Sequence, residues 1–363
     1  MNGSAVPGIR SADGPARIET FTAPGALPAD ALALSAAEPS LFLSPAWWRV
    51  VVAHAMPPRA TPCFALCRLG ETPAALFPLR IAADARSLDS LTIPYTCHYA
   101  PLLAPALEED ATQAVFTAFA RFCRRWAVTR LDALDAGWTG LLPLTRAARA
   151  AGLRVLPFDH FGNWHEDVAG LDWNGYLAAR PGALRETVRR RLRRAAKVPE
   201  ERFQVFSAPD EMTAGIDAYE SVYARSWKEA EPFARFNAAL MHAASAAGIL
   251  RLGVWWIGAV PVAAQFWIVQ HGRATVLKLA HDEAFKSHSP GTVLTALMLQ
   301  RLLEQERVTA IDFGRGDDAY KQGWAAKRQQ RVGVLLVNPW RAAGLAQLVR
   351  HGLGRLRRTA RGA

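Results

Sequence analysis

Hydrophobic positions along the chain recur with two spacings, and segments of the two kinds alternate. Alternate-residue spacing predicts half-buried strands, and a spacing of three or four residues predicts amphipathic helices. For the first half, the pattern predicts a strand at 17–22, a helix ending near 56, a hairpin that turns at Gly70, an extended stretch at 91–103, a helix at 108–127, a strand at 129–134 and a helix ending at 152.

The second half repeats this order without evident sequence identity to the first. Its predicted elements are a basic helix at 183–197, a strand at 201–207, helices at 211–229 and 236–247, a hairpin at 250–269, a strand at 274–281, a helix after 286–291, strands at 309–313 and 331–337, and a short helix near Tyr320. The repeated order predicts two related α/β units. Their predicted ranges are 16–155 and 156–340, after a flexible N-terminus at 1–15 and before a basic amphipathic tail at 341–363.

One apolar stretch, 252–269, imitates a membrane span, because Gln265 is its only strongly polar residue. Its length is marginal for crossing a bilayer. Gly258 and Pro261 interrupt it, and its content of Trp, Val, Ile and Phe favours strands. We therefore predict two buried strands joined by a tight turn at Gly258 and Ala259.

The charge of the chain is unevenly distributed. Its 363 residues, 51% of them hydrophobic, are enough for more than one core, and its formal net charge is +11. The 45 residues after Asp318 contain ten basic and no acidic residues, and 180–197 holds eight basic residues against Glu186. This asymmetry indicates an anionic partner such as phosphate, a nucleic acid or a membrane surface, with solubility alone as the other interpretation.

Neither the cysteines nor the histidines follow the spacing of a metal site. Cys63, Cys67, Cys97 and Cys123 lack zinc-type pairing with histidines, and the N-terminus has no apolar leader. We predict reduced thiols in a cytoplasmic protein. The segment FDHFGNWHEDV gathers acidic and histidine side chains at irregular intervals, so we predict no metal there.

The hexapeptide KSHSPG, 286–291, lies between a predicted strand and a predicted helix. A helix that starts there presents free N–H groups and the positive end of its dipole, which suits a pyrophosphate. The hexapeptide supplies Lys286 as a cation, Ser289 as a small residue and cap, Pro290 at the first helical position and Gly291 without an obstructing side chain. An ordinary capped helix is the alternative.

Five segments together resemble the FemAB-like and CelD-like branch of the GNAT acyltransferases, whose members look like two GNAT units in tandem. They are LFLSPAWWRV, ALRETVRRRLRR, VWWIGAVPVAAQFWIV, SPGTVLTALMLQ and IDFGRGDDAYKQGW. The last two are the most specific, and the resemblance covers most of 16–340. It implies an α/β (α+β) fold of two tandem GNAT-like units, each with a mixed, mostly antiparallel sheet flanked by helices.

The resemblance also implies N-acyl transfer, from acyl-CoA in most members and from aminoacyl-tRNA in some. It places acyl-CoA on five residues: Lys286, Ser289, Pro290, Gly291 and Thr292. Lys286 and Ser289 replace the Arg or Gln and the Gly of the family pattern. The reaction is expected in the gap between the strands at 274–281 and 309–313.

Candidate acid–base groups stand at the ends of these two strands. Tyr320 occupies the place of the tyrosine that protonates the departing thiolate in many GNAT enzymes. The candidates to accept the proton of the amine are Asp312, Asp317 and His281. The expected substrate contacts are Lys321, Trp324 and Gln265. A helix cap for Asp317, packing for Tyr320 and a polar strand edge for His281 are the structural alternatives.

For two basic segments, the sequence allows more than one kind of partner. The arginines of 185–194 spread over several faces of a helix, which fits a solvated helix, an anionic substrate or tRNA. The tail has an apolar stripe of Leu345, Leu348, Val349, Leu353 and Leu356 beside Arg350, Arg355, Arg357 and Arg358. It fits either peripheral contact with the inner face of an anionic membrane or packing on the domain.

Three functions fit these features. The first is an acyl-CoA-dependent N-acyltransferase acting on a small-molecule or glycan-precursor amine, in envelope or exopolysaccharide metabolism. The second is an aminoacyl-tRNA-dependent transferase, which the arginine-rich helix favours and the CoA-like loop disfavours. The third is a non-catalytic scaffold at the membrane. We expect no DNA partner.

Overall fold

A computed structural model describes residues 9–36, 38 and 40–359, and their side chains except Ala12 and 353–359. The chain divides into two compact units. Unit 1 comprises the described residues up to Phe161 and from Gln330 onwards, and unit 2 comprises Gly162–Gln329.

Helices and strands are numbered in chain order. Before the boundary they are β1 (Ala16–Phe21), α1 (Ala29–Ala36), α2 (Pro45–His54), β2 (Thr61–Leu69), β3 (Thr72–Ile81), β4 (Ser87–Ser90), β5 (Leu102–Leu103), α3 (Glu109–Cys123), β6 (Val128–Asp135) and α4 (Leu141–Ala150). Strand β7 (Arg154–Asp167) continues into unit 2. The remaining elements are α5 (Trp173–Ala178), α6 (Gly182–Ala195), β8 (Glu201–Phe206), α7 (Met212–Ala224), α8 (Phe236–Ala246), β9 (Leu250–Ile257), β10 (Val260–Gln270), β11 (Arg273–His281), α9 (Pro290–Glu304), β12 (Ala310–Arg315), α10 (Lys321–Trp324), β13 (Lys327–Val337) and α11 (Ala342–Thr359).

The sheet of unit 1 has the strand order β1-β2-β3-β4-β6-β13, with β5 beside β3. Only the β4–β6 pair is parallel. Residues 331–337 of β13 pair with β6, so 330–340 group with unit 1 rather than with the predicted range 156–340. Helix α3 packs its apolar face on this sheet, where Phe119 stacks on Phe77 with ring centroids 3.9 Å apart.

The sheet of unit 2 has the order β7-β12-β11-β10-β9-β8, and only the β11–β12 pair is parallel. Its core includes two completely buried indoles, Trp255 and Trp267, beneath the apolar face of α9. Both units thus have a mixed, mostly antiparallel sheet flanked by helices, and the predicted fold class is confirmed.

The apolar stretch 252–269 is the predicted hairpin. Strands β9 and β10 pair from Val260↔Ile257 onwards, and Gly258 turns the chain with a φ of +58°. This backbone conformation is easily adopted by glycine, which has no Cβ. Among the described residues, no helix has both the length and the apolar character needed to cross a bilayer.

The N-terminal segment differs from its prediction where the structure describes it. Ile9 pairs with Leu107 across a β-bridge, and residues 11–13 form a short 3₁₀ helix. Arg10 forms an ion pair with Glu108, with a distance of 3.0 Å from Nε to Oε1. Residues 9–13 are therefore held against the start of α3, whereas the sequence predicted a flexible lead-in over 1–15.

The cysteines are free and buried in unit 1, in agreement with the predicted reduced thiols. Burial raises the pKa of the Cys63 thiol to about 11, so the thiolate is scarce near neutral pH. Elements that the sequence did not predict are short, namely α1, β4 and α5, whereas β5 lies inside the predicted extended stretch 91–103.

Candidate active site

Strands β11 and β12 pair over only a short length. Their parallel register holds at three positions, from Arg273↔Ala310 to Thr275↔Asp312. Beyond that point β11 continues to His281 and β12 to Arg315, with no register pair between them in the described chain. We call this opening the strand gap. Main-chain groups that lose their sheet partner in this way are available to hydrogen-bond a ligand, and this is where the sequence predicted the reaction.

Helix α9 begins beside the end of β11. Pro290 occupies its first position, and its first turn contains no acidic residue. The amides of Gly291 and Thr292 lie in that first turn, where a helix provides no acceptor for N–H groups. This end of the helix also carries the positive pole of the dipole, so it favours a phosphate.

Ser289 takes the N-cap position without acting as the predicted side-chain cap. Its backbone is left-handed, with φ 54° and ψ 52°, and its hydroxyl makes no capping hydrogen bond. A residue with a Cβ in this region stores strain of about 1–3 kcal/mol, which the surrounding structure must offset. The 3₁₀ helix Glu283–His288 enters the turn on one side and α9 leaves it on the other.

A buried hydrogen-bond network fixes the first turn of α9 to the sheet. Gln265 Nε2 donates to Thr295 Oγ1 at 2.7 Å, and that hydroxyl donates to the carbonyl of Gly291 at 2.8 Å. Trp267 Nε1 donates to Gln265 Oε1 at 2.9 Å. Gln265 was predicted to contact substrate; its amide is occupied by this network, and substrate contact remains a prediction.

His281 ends β11 next to the start of α9. Its Nδ1 is buried without a hydrogen-bond partner among the described residues, and a Cβ built on Gly291 would lie 3.5 Å from it. Trp227 packs on the ring at a centroid distance of 4.3 Å. Burial lowers the pKa of His281, and the nearby Glu283 only partly opposes this effect. The imidazole is therefore neutral near pH 7 and keeps a ring nitrogen to accept a proton.

The two candidate aspartates both have other partners. Asp312 Oδ1 accepts from Asn163 Nδ2 at 2.7 Å and from the amide of Gly314 at 2.8 Å. Asp317 accepts two hydrogen bonds from Arg328, at 2.8 and 2.6 Å, and the Arg328 guanidinium holds the pKa of Asp317 below its usual value. These contacts occupy both carboxylates, and the pairing with Arg328 makes Asp317 a weak base.

Tyr320 precedes α10 and lies on the surface, with 43% of the residue exposed. Its partial burial and, to a lesser degree, the Asp318 carboxylate raise its pKa above the usual value, which keeps the phenol protonated. A protonated phenol next to the strand gap is a suitable proton donor.

Lys321 and Trp324 differ from Tyr320 because both are buried. The Lys321 Nζ donates to the carbonyl of Arg315 at 2.7 Å and contacts Asp318 Oδ2 at 3.0 Å, so it fastens the loop after β12. The Trp324 side chain belongs to the core, and its carbonyl accepts from Tyr176. Their predicted contact with substrate remains a prediction.

Residues 182–322, which run from α6 to the start of α10, match the family model described as an acetyltransferase (GNAT) domain. We call this segment, 141 of the 363 residues, the GNAT domain after that match. It contains the strand gap, the start of α9 and all the predicted site residues up to Lys321. No curated protein matches the chain.

Solved structures share the tandem GNAT fold at low sequence identity. FemX aligns with a TM-score of 0.59 and 10% identity over 91% of this chain and 99% of its own. The C-terminal domain of a putative lysylphosphatidylglycerol synthetase from Agrobacterium fabrum gives 0.54 and 16% over 88% and 93%. A tandem GNAT protein from the clavulanic acid biosynthesis pathway gives 0.50 and 14% over 88% and 98%. At these identities the likeness concerns the fold.

One residue of the GNAT domain that sequence reasoning missed is Lys228, in the loop between α7 and α8. Its amine is largely buried, lies over the Trp227 ring at 5.7 Å, and has no hydrogen-bond or ion-pair partner in the described part of the chain. Burial is the main cause that lowers its pKa to about 8, and Lys278 adds to the effect. Its charged neighbours lie on both sides of the strand gap: Lys278 on β11, and Asp318 and Lys321 after β12.

Lys278, unlike Lys228, has an ion-pair partner. Its amine is paired with Glu231 at 2.7 Å, and both side chains are nearly buried. No periodicity in the sequence distinguishes the two lysines, because the difference depends on how the 225–235 loop folds over β11. The only local signal was the adjacent Trp227, which was not singled out.

The histidine-rich segment 158–168 forms part of β7 and of the turn after it. Glu166 pairs with Arg180 at 2.7 Å, and Asp167 pairs with Lys327. Within the described residues, no group of three or more His, Cys, Asp or Glu side chains is arranged to hold a metal ion.

Helix α6 opens the GNAT domain and packs against α9. Arg191 Nη1 reaches the carbonyl of Ser287 at 3.5 Å, just before the start of α9. Lys286 lies on the same 3₁₀ helix and is exposed, with Glu283 as its ion-pair partner at 3.3 Å. Positive charge from two elements is therefore placed beside the proposed phosphate position.

Proposed function

We propose that the GNAT domain transfers an acyl group from acyl-CoA to an amine. The observation that carries this proposal is the adjacency of two features: a parallel strand pair that separates after Thr275 and Asp312, and a helix start without acidic residues at Pro290. The pyrophosphate would accept from the amides of Gly291 and Thr292, next to Lys286. The thioester would then extend into the strand gap, where unpaired main-chain N–H groups polarise its carbonyl.

The chemistry requires the amine to lose two protons. The acceptor arrives as an ammonium, and we infer that Lys228 takes its proton, because an unpaired amine with a pKa of about 8 suits a base near neutral pH. The free amine attacks the thioester carbonyl, a C–N bond forms and the C–S bond breaks. Tyr320 then delivers a proton to the CoA thiolate and regains one from the new amide nitrogen, which still carries the second proton that the amine must lose. His281 is the alternative base, while Asp312 and Asp317 fix the end of β12.

The branch of the family and the class of acceptor are inferred from the sequence motifs. SPGTVLTALMLQ and IDFGRGDDAYKQGW support a place in the FemAB-like and CelD-like branch. We propose a small-molecule or glycan-precursor amine as the acceptor, in envelope or exopolysaccharide metabolism. We also propose a cytoplasmic location with peripheral contact to the membrane through the tail at 341–363.

Transfer from aminoacyl-tRNA is the second candidate. The observation that favours it is the exposed face of α6, which presents Arg189, Arg190, Arg193 and Arg194 to solvent. Such a face suits the phosphates of RNA, although the helix has no aromatic side chain for base stacking. The FemAB-like branch that the sequence motifs resemble also includes relatives that use aminoacyl-tRNA.

Calorimetric titration of the purified protein with acetyl-CoA and with CoA tests the proposal. We expect saturable binding of both by the parent protein and by Gly291→Ala, because alanine adds only a methyl group. Gly291→Val should lose CoA binding with its circular dichroism spectrum unchanged. If the parent protein binds neither compound, the tRNA-dependent and scaffold functions become the better accounts; if Gly291→Val binds normally, the phosphate lies elsewhere.

A further inference from the structure

An arginine-lined cavity in unit 1 has no part in the proposed acyl transfer. It has a volume of about 480 Å³ and is lined by Arg121, Arg124, Arg125, Asn338, Trp340 and Arg341. Three of the arginines come from the C-terminal end of α3 and the turn after it, and the fourth lies just before α11. The lining contains no acidic residue.

Contacts in the described chain fix the backbone of Arg124 and the guanidinium groups of Arg125 and Arg341. Asn338 Nδ2 donates to the carbonyl of Arg124 at 2.8 Å, and Arg341 Nε donates to the same oxygen at 3.4 Å. Arg125 lies over the Phe122 ring at 5.0 Å. Four like charges around one cavity repel one another unless an anion joins them. Guanidinium groups bind phosphate oxygens in bidentate fashion, so a phosphate is the anion that best matches this arrangement.

Large apolar side chains are exposed directly beside this cavity. Trp340 is 80% exposed, and Leu345 and Val349 are 54% and 55% exposed. Leu345 and Val349 are four residues apart on α11 and therefore share one helical face. Tryptophan side chains next to charged groups, such as Trp340 here, are common at membrane–water interfaces.

The start of α11 is fixed to unit 1, so these residues keep their position. A Cβ at Gly344 would collide with the carbonyl oxygen of Asn338, and Leu348 lines a second cavity together with Leu153 and Trp340. Leu348 therefore faces the protein, while Leu345 and Val349 face outwards. Of the predicted stripe, Leu353 and Leu356 lie outside the residues whose side chains are described, as do Arg355, Arg357 and Arg358.

We propose that this basic and apolar face of unit 1 docks on an anionic phospholipid membrane, with a lipid phosphate in the arginine-lined cavity and Trp340, Leu345 and Val349 in the interfacial layer. RNA would satisfy the arginines but would leave Leu345 and Val349 in water, whereas a bilayer satisfies both. This inference gives the peripheral contact proposed above its residues and its ligand class. It does not depend on the chemistry of unit 2.

Co-sedimentation of the full chain with vesicles tests the docking. Phosphatidylglycerol–phosphatidylcholine vesicles should bind the protein, and phosphatidylcholine vesicles should not. Each arginine near an anionic surface contributes about a fivefold increase in partitioning, so Arg121→Gln/Arg124→Gln should reduce binding by roughly tenfold or more. Trp340→Ala should also reduce it. The matched control is Arg49→Gln/Arg59→Gln, which removes two exposed charges on α2 and in the segment after it.

Equal sedimentation of the cavity variant and the control variant would overturn the proposal, as would equal binding to neutral vesicles. Binding of a single-stranded RNA oligonucleotide without binding of vesicles would overturn it in favour of a nucleic acid. Every variant should retain the parent circular dichroism spectrum and the parent CoA affinity. Failure of this docking is thus distinguishable from failure of the acyl-transfer proposal.

Discussion

Each unit contains one parallel strand pair whose strands are joined through a long helix. In unit 1 the pair is β4 and β6 with α3 between them, and in unit 2 it is β11 and β12 with α9 between them. The two helices begin differently. The first turn of α3 contains Glu109 and Asp110, whereas the first turn of α9 contains no acidic residue. The same fold therefore offers a positive helix end in unit 2 and neutralises it in unit 1.

The start of α3 is also physically covered. The amide and hydroxyl of Ser11 both donate to Asp110, and the amide of Glu108 donates to the carbonyl of Ile9 at 3.1 Å. Among the described hydrogen bonds to other segments, none is made by the amides of Gly291 and Thr292. A binding site in this fold requires an open helix end as well as the correct strand order.

The two parallel strand pairs also differ in whether the main-chain amides beyond their paired length are occupied. Strand β6 continues beyond the residues that pair with β4. There the amide of Asp132 donates a hydrogen bond to Ser90 Oγ at 3.0 Å, and the amide of Ala133 donates one to His160 Nδ1 at 2.9 Å. Side chains thus fill the place that a ligand would take in unit 1. We infer that one unit binds the acyl donor and the other has a structural role.

The largest effect is expected when the acidic start of α3 is transferred to α9. Gly291→Asp places a carboxylate at the second helical position, as Asp110 does in α3. The site has room for a side chain, because a Cβ there meets only His281 Nδ1 at 3.5 Å. CoA affinity measured by calorimetry should fall by more than about 100-fold, or about 2.7 kcal/mol. Gly291→Asn matches the size without the charge and should lose less; equal losses would show that size alone excludes the phosphate.

A smaller effect is expected from Tyr320→Phe. The substitution keeps the ring and removes the hydroxyl, so any loss belongs to the proton donor rather than to a cavity. A CoA thiol leaves readily, so the single-turnover rate with a competent amine should fall by about 10- to 100-fold, at or below the low end of the usual range for acid–base groups. CoA affinity should stay unchanged. If the Tyr320→Phe variant reacts at the parent rate at every pH, Tyr320 is not the proton donor.

Lys228 should impose a stability cost on unit 2. Its pKa is about 8 in the folded state and near 10.5 when exposed, so the unfolded chain holds more protons between these values. The destabilisation is complete below pH 8 and fades as pH rises towards 10.5. Lys228→Met should therefore raise the free energy of unfolding by about 1–3 kcal/mol at pH 7, and by less at pH 9.5, in urea titrations.

The same substitution should abolish the rise of the pH–rate profile through about pH 8 if Lys228 is the base, because only the neutral amine can accept a proton. Lys278→Met is the matched control, because it removes a buried lysine that has a partner. It removes the amine that pairs with Glu231 and should lower stability. A Lys228→Met protein no more stable than the parent would show that burial does not lower the pKa of the amine.

The smallest effect is expected in unit 1 from Asp110→Asn. The hydrogen bonds from Ser11 hold the pKa of Asp110 below its usual value, so the carboxylate contributes stability above that usual value that is lost as pH falls. A slight decrease in melting temperature at pH 7, absent at low pH, is the expected result. The stoichiometry of CoA binding should remain one per chain, and a second site would contradict the closed start of α3.

Some of the features that distinguish unit 2 could be predicted from the sequence. The hairpin at 252–269, the helix start at Pro290 and the position of Tyr320 after a strand all depend on local patterns of Gly, Pro and apolar residues. The left-handed backbone of Ser289 and the buried amine of Lys321 did not follow from such patterns. The first depends on the 3₁₀ helix before it, and the second depends on carbonyl groups that the loop after β12 presents. Lys228 escaped prediction for a similar reason, since its burial arises from long-range packing.

Backbone amide hydrogen–deuterium exchange with and without CoA tests the central claim most directly, because it compares both helix ends in one experiment. The account predicts slower exchange at Gly291, Thr292 and the neighbouring amides of unit 2, and no change at Glu109 and Asp110 in unit 1. Protection at the start of α3, or none at the start of α9 under saturating CoA, would contradict it.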